Sequence, residues 1–494
     1  MTAGPTKPTI GALPDTRAAS PLVPVALTWI VWTLFAASVA ALVARTRFGG
    51  PWEVPGLVSV DGLTLLMWVV VTFFGGIVHS YSRRYMAGST HETRFFLAAF
   101  GFTALVAALV AADHVLLFGL LWVAMGLTMA ELIGTVTGWE QARAAASVAR
   151  RYFLASSALL GVALGALYWA TGATTITGIA ASADALGGPA WLVAVCALVL
   201  AAMIQSALVP FHGWLLSSMT APTPASALMH AGFVNAGGVL LVRFAPVVTV
   251  DATLMLAVVA VGAASALLGK LLKSVQPNVK GELGCSTVGQ MGFMIMQAGL
   301  GFFGAAITHL ILHGFYKAYQ FLSAGSQVEH GSPTKGPSPA PGAVDAVAML
   351  ATGLAGGALF ALLTGKGLGA DSGLLLVLFV VITTLHAARS AVQHTSVPTA
   401  VRYGAVPLVF LPAIAVYALV YDAISGILSG LPVVAAPTEL TALHGAVAAV
   451  FVAVYVVTEF GLHRQSGRLY VLLLNAGQPA SRTVLTDTED YSEY

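Results

Sequence analysis

HLILHGFYKAYQFLSAGS, residues His309–Ser326, is the stretch from which the rest of the chain is read. It is apolar enough to lie in a bilayer, yet His309, His313 and Lys317 follow one another at i, i+4 steps. On a helix that spacing stacks the three ionisable groups along one face. A lysine at the centre of a lipid-facing helix costs about 2.5–3.5 kcal/mol on insertion scales, so this face is expected to look into protein or a wet cavity. Groups able to hand on protons, lined up inside a membrane, outline a proton path.

The whole chain supports that setting. Its 494 residues are 58% hydrophobic and 9% charged, with a mean hydropathy of +0.87, whereas a soluble domain carries about 25% charged residues. Repeated apolar runs of about 20 residues predict an all-α, polytopic membrane protein. The expected spans are 22–44, 60–80, 95–112, 114–137, 152–171, 188–209, 222–246, 252–269, 284–303, 305–325, 343–363, 373–390, 404–428 and 440–461, about 14 transmembrane helices. With a cytoplasmic N-terminus, the inner loops receive Arg83, Arg84, Arg143, Arg150, Arg151, Lys270, Lys273, Lys280, Lys335, Arg402, Arg464 and Arg468. The outer loops receive little beyond Arg45, Arg47 and Lys366. The positive-inside rule then puts both termini in the cytoplasm.

Residues 1–20 are polar and rich in Pro, Thr and Ala, and are expected to be a disordered cytoplasmic tail without a cleavable signal peptide. Residues 478–494, with Asp487, Glu489, Asp490 and Glu493, form an acidic tail. GSPTKGPSPAPGA, 331–343, reads as a linker loop. HRQSGRLYVLLLNAG, 463–477, is a short amphipathic stretch suited to the membrane surface or to a partner. The net charge of +2 comes from scattered loop residues and gives no sign of nucleic-acid binding. Cys196 and Cys285 match no metal or disulfide spacing and are expected to be packed thiols.

Pro210 is expected to end the span 188–209, before the short segment FHGWLLSSM and an APTP turn. A proline there removes a backbone hydrogen bond, so nearby backbone must be satisfied by protein or water. Broken helices of this kind often mark transport sites.

Few other ionisable groups fall inside the spans. His230 follows the APTP turn, either as a hydrogen-bonded bundle histidine or as part of a path. Lys270, Lys273 and Lys280 sit near a cytoplasmic helix end, where snorkelling is the plain explanation. Glu131 lies inside the span 114–137; buried there, it would behave as a proton-relay carboxylate. His386 ends another span and either extends the path or sits at its border, while Asp422, Glu439 and Glu459 read as interfacial. No P-loop, dinucleotide fingerprint or zinc-spaced Cys/His cluster occurs, so the chain is not expected to be an enzyme or to hold a cofactor.

An ordered series of motifs gives the family. VDGLTLLMW (60–68), HSYSRRYM (79–86), RFF (94–96), AADHVLLFGLLW (111–122), PFHGWLLSSMTAPTPASALMHAG (210–232), VKGELGCSTVGQMGFM (279–294) and the 309–326 stretch succeed one another. Over roughly residues 58–330 the chain resembles the antiporter-like, proton-conducting subunits of respiratory complex I and of multisubunit cation/proton antiporters. FHGWL (211–215), HAGFVNAGGVLLVRFAP (230–246) and GRLYVLLLNAG (467–477) resemble the DabB-type subunit of two-component inorganic-carbon accumulation systems.

That resemblance implies two inverted five-helix repeats containing broken helices, at 113–275 and 276–428, after N-terminal helices at 21–112 and before a C-terminal helix and amphipathic segment at 429–477. It implies a multi-pass subunit of the cell (inner) membrane that couples the proton gradient to CO2 and bicarbonate accumulation by a large DabA-type partner, which would hold the zinc. The other reading is a subunit of a multisubunit cation/proton antiporter or of a respiratory or hydrogenase complex. His230, Lys280, His309, His313 and Lys317 fall on the family's proton-path positions. Two positions depart: Val123 follows Trp122 where the family has glutamate, and Gln205 stands where it has lysine. The first repeat thus lacks its Lys–Glu pair, with Glu131 as the only substitute carboxylate on that helix.

Overall fold

The computed structural model describes residues 22–50, 52–324, 343–393, 399–459, 461 and 465–484. The N-terminal tail, the acidic residues Asp487, Glu489, Asp490 and Glu493 of the C-terminal tail, the 331–342 part of the linker, and Arg464 lie outside the described residues. Its long helices are α1 (Leu22–Phe48), α2 (Gly62–Tyr85), α3 (Glu92–Ala111), α4 (Val115–Ile133) and α5 (Glu140–Thr171). After the short α6 (Ile176–Ala181) come α7 (Gly188–Gln205), α8 (Gly213–Ser217), α9 (Thr223–Ala231), α10 (Ala236–Arg243) and α11 (Ala245–Val248). The second half holds α12 (Ala252–Lys273), α13 (Val279–Gly299), α14 (Phe303–Leu322), α15 (Ala343–Thr364), α16 (Gly373–Gln393), α17 (Thr399–Leu428), α18 (Ala442–Glu459) and α19 (Gly467–Ala476).

Each of the fourteen expected stretches contains helix. Among the described residues, eleven helical stretches are long and apolar enough to cross a membrane, the segment Thr223–Arg243 being one of them. The other three expected spans form α13 and α14, which carry the ionisable residues, and α16, whose apolar part is Gly373–Arg389. The chain is thus a polytopic helical membrane protein. One small departure from all-α is an antiparallel hairpin of β1 (Trp52–Val54) and β2 (Val58–Val60), with Trp52 opposite Val60. α5 begins at Glu140 rather than 152, because QARAAASVARR is rich in helix-favouring Ala and Arg.

Helix direction defines two ends of the bundle. α2, α4, α12 and α14 finish at a basic end with Arg83, Arg84, Lys270 and Lys273. α3, α13 and α17 finish at the far end, where Arg243 at the close of α10 pairs with Asp61, the N-cap of α2. Arg243 also donates to the Val110 carbonyl at 2.8 Å. Burial pushes the Asp61 carboxyl up; Arg243 and the Thr64 amide outweigh it and hold it below the usual carboxylate value.

The expected break is real but begins four residues early. α7 stops at Gln205, and Ala207 takes a left-handed φ of 53° before the cis Val209–Pro210 bond. Protein satisfies the interrupted backbone: Ser265 Oγ accepts from the Val209 amide at 3.2 Å, and Ser206 Oγ donates to the Val234 carbonyl at 2.7 Å. Trp214 Nε1 donates to the Ile204 carbonyl at 2.9 Å. This is what irregular backbone requires at membrane depth.

α12 and α13 touch backbone to backbone. A Cβ on Gly262 would lie 2.8 Å from the Gly292 carbonyl oxygen, and one on Gly269 would meet the Gly289 backbone. Small residues at helical spacing allow such an approach.

Candidate functional site

α14 carries His309, His313 and Lys317 on one face, as their spacing predicts. The His309 and His313 rings are 5.9 Å apart and 28° from parallel. Lys317 is fully buried, and its Nζ donates to the Leu283 carbonyl of α13 at 2.9 Å. A lysine usually snorkels out of such a position; here packing forbids it.

His230, on α9, is fully buried beside this face. Its Nδ1 lies 2.9 Å from Thr287 Oγ1, and Thr287 in turn donates to the Leu283 carbonyl at 2.9 Å. With the hydroxyl proton spent on that carbonyl, His230 must donate through Nδ1–H, which leaves Nε2 as the bare nitrogen. The Leu283 oxygen therefore receives both Lys317 and Thr287, and joins the two halves of the cluster. The Nε2 atoms of His230, His309 and His313 are all buried without a hydrogen-bond partner. Polar atoms left this way inside a protein are the ones internal water serves.

Gly314 makes the juxtaposition possible. A Cβ there would stand 2.8 Å from Phe74 Cε2 and 3.0 Å from the Ala231 carbonyl oxygen, so only glycine lets α14 lie this close to α9. Lys280, at the start of α13, points into the turn between α8 and α9, and donates to the Met219 and Ala221 carbonyls at 3.3 and 3.0 Å. It fastens the broken segment.

Two of the expected path residues stand elsewhere. Glu131 lies in the last turn of α4, half-exposed and ion-paired with Arg94 of α3, so the expected buried carboxylate is a partly solvated one. His386 accepts Lys270 at 3.1 Å on one nitrogen and meets Glu459 on the other, in a separate network at the basic end. Glu459, which reads as interfacial in the sequence, has a side chain only 8% exposed and also receives Arg389 at 3.1 Å. Cys285 is packed as expected, whereas Cys196 is exposed on α7. Among the described residues, no group of three His, Cys, Asp or Glu side chains is placed to hold a metal ion.

Residues that spacing alone does not mark include Thr287 and the Leu283 carbonyl, although Thr287 sits two turns after Lys280 on the same helix. Gln205 stands out in the sequence only as a departure. It is 1% exposed and neither polar atom of its amide has a partner. Trp122 Nε1 donates to Ser156 Oγ at 3.3 Å, close to where Val123 replaces a carboxylate. These buried groups of the first half, Gln205, Trp122 and Ser156, are all neutral.

A bundle of apolar helices interrupted at depth, with His309, His313 and Lys317 along one face of α14, defines a polytopic membrane subunit. The family model described as NADH:quinone oxidoreductase/Mrp antiporter, transmembrane, matches residues 112–336, and that of the complex I chain 5 N-terminus matches residues 50–96. The "Probable inorganic carbon transporter subunit DabB1" of Halothiobacillus neapolitanus is 40% identical over 280 residues, 55% of this chain and 50% of that protein. The DabB subunit of Bacillus subtilis is 39% identical over 285 residues, 56% and 54% of the two chains. Subunit L of the Mycobacterium tuberculosis NADH-quinone oxidoreductase is 34% identical over 276 residues, 55% and 43%. The chain thus spans about half the length of these curated relatives. In fold it is similar to the Mrp complex of Dietzia sp., with a TM-score of 0.56 and 23% identity over 93% of this chain and 50% of that one. It is similar also to an archaeal membrane-bound sulfane sulfur reductase, with a TM-score of 0.57 and 15% identity over 92% of each chain. The protein belongs to the antiporter-like, complex I-type membrane subunits, and is closely related to the DabB family of inorganic-carbon transporter subunits.

Proposed function

We propose that this chain conducts protons across the cell (inner) membrane and couples their flow to inorganic-carbon accumulation by a large DabA-type partner that holds the zinc. The observation that carries the reading is the buried His309–His313–Lys317 face, joined through the Leu283 carbonyl to Thr287 and His230. The DabB likeness supplies the substrate class: CO2 taken up and held as bicarbonate, with that chemistry on the partner. Protons enter from outside, pass His309 and His313 one helical turn at a time, and reach Lys317 near the cytoplasmic end. His230 and Lys280 position the broken segment against this row. Glu131 and His386 stand outside it. Conduction belongs to the second of two inverted repeats, 276–428. In the first, 113–275, Val123 and Gln205 leave no charge to carry. Both termini are assigned to the cytoplasm.

The complex I and Mrp likenesses favour one alternative, a subunit of a cation/proton antiporter or respiratory complex. Purification of the tagged protein from its native membrane, with identification of what accompanies it, separates the two. One large zinc protein supports inorganic-carbon uptake; several small membrane subunits, or iron–sulfur proteins, overturn it. Proton flux that survives Lys317→Met in the purified complex overturns the path itself.

A further inference from the structure

A cavity of about 40 Å³ lies in the first half of the bundle, between α2, α3, α4, α9, α10 and α14. Small residues leave it room. Ala231, Gly232 and Ala236, where α9 passes through one tight turn into α10, line it together with the rings of Phe102, Phe118 and Trp122. Trp122 spends its indole N–H on Ser156. Among the described residues, the other polar side chain in the lining is Asn235, which is 1% exposed. Its Nδ2 donates to the Ala231 carbonyl at 2.8 Å, and its Oδ1 is buried without a partner. The cavity thus offers a ligand one bare acceptor in an apolar wall. A buried water wants two to four polar partners, and apolar cavities stay dry. Such a site suits a small neutral molecule with an electron-poor centre. An apolar cavity of about 150 Å³ admits benzene; this one is nearer the size of a three-atom molecule.

A second cavity, of about 250 Å³, lies at the far end and is lined by Asp61, Asp113, Thr177 and Arg243. Val110 joins the two: it lines the apolar cavity, and its carbonyl accepts Arg243 at 2.8 Å. The Arg243–Asp61 pair stands at this junction, while the Thr177 amide and hydroxyl hold Asp113 at 2.9 and 2.7 Å. An ion passing inwards would shed its water into a space with a single acceptor, a cost that shuts out bicarbonate. CO2 carries no charge and meets no such barrier. We propose that the apolar cavity is a binding site for CO2, entered from the far-end cavity, with the electropositive carbon of the ligand against Asn235 Oδ1. The choice of CO2 rests on the inorganic-carbon reading; the size of the cavity and its single acceptor do not. The contact is non-covalent, so CO2 leaves unchanged. The half of the bundle in which Val123 and Gln205 take the place of a charged pair then handles a neutral molecule.

The test is infrared spectroscopy, under isotopically labelled CO2, of the full-length protein in lipid nanodiscs with the partners it purifies with. Beside the antisymmetric stretch of gas dissolved in water and lipid, a second band is expected that saturates as the CO2 pressure rises. Val106→Phe fills the cavity from α3 and should abolish that band. Asn235→Leu keeps the volume but removes the oxygen, and should shift the band and weaken binding. Absence of a second band in the parent overturns the site without recourse to any variant. A band undiminished in a Val106→Phe protein that melts normally belongs to the partner or to lipid, and overturns it too. Where Val106→Phe fails to assemble, an unmoved band in Asn235→Leu has the same force. No band in a complex that contains one large zinc protein removes the site and leaves the carbon reading standing. Purification with iron–sulfur subunits instead removes that reading, and the choice of CO2 with it.

Discussion

His230 lies flat against Phe321, with ring centroids 4.3 Å apart and planes 23° from parallel. The histidine of the broken segment is thereby stacked on the helix that carries Lys317, one turn before Phe321. Its ring cannot turn unless α14 moves. The cluster behaves as one packed object, and each of its supports should be measurable.

Thr287→Val keeps the shape but removes the hydroxyl that links His230 to the Leu283 carbonyl. It should cost about 1–3 kcal/mol of stability, because His230 Nδ1–H loses its acceptor. Proton flux should fall with it, and Thr287→Ser should restore both. Thermal melting of the purified protein and vesicle flux read the two effects.

Gly314→Ala places a methyl group against Phe74 and the Ala231 carbonyl, and should cost about 1–3 kcal/mol through overpacking. A Cβ on Gly101 of α3 would meet nothing within 4 Å, so Gly101→Ala should be neutral or stabilising by about 0.4–1 kcal/mol. Gly314→Ala should melt below the parent and Gly101→Ala at or above it, and flux should fall only in the Gly314 variant.

Asp61 gives a pH dependence with a definite sign. Its carboxyl is held below the usual value near 3.9, with burial opposing and Arg243 prevailing. The stabilisation is therefore complete above that usual value and is lost as pH falls through the lower, folded-state value. Melting temperature against pH should show this acid limb in the parent and lose it in Asp61→Asn. Arg243→Ala, which strands the largely buried carboxylate, should cost about 3–5 kcal/mol.

Glu459 holds His386 and Arg389 against α18, and Lys270 of α12 bonds to the same histidine. Glu459→Ala should loosen α18 and cost about 1–3 kcal/mol. His386→Gln should leave flux unchanged, since this network stands apart from the row on α14. A flux defect in His386→Gln with normal melting would return that residue to the path.

The face of α14 is legible in the sequence because three ionisable residues at i, i+4 in an apolar run have one plausible reading. The interruption after α7 is legible from Pro210, although the helix ends at Gln205, where Ser206 and Trp214 turn their side chains onto the backbone. Glu131 escapes such a reading because its environment is set by Arg94, on a different helix, and no local spacing records that pairing. His386, Lys270 and Glu459 lie on three separate helices, and only the fold brings them together.

The glycine-lined contact between α12 and α13 has a mechanical consequence. Two helices whose backbones touch have no side-chain cushion between them, so they move as a single stiff plank. One side of the plank presents the Leu283 oxygen to Lys317, and its α12 edge bears Lys270, bonded to His386. The plank thus carries both contacts at once, the buried one through α13 and the other through α12.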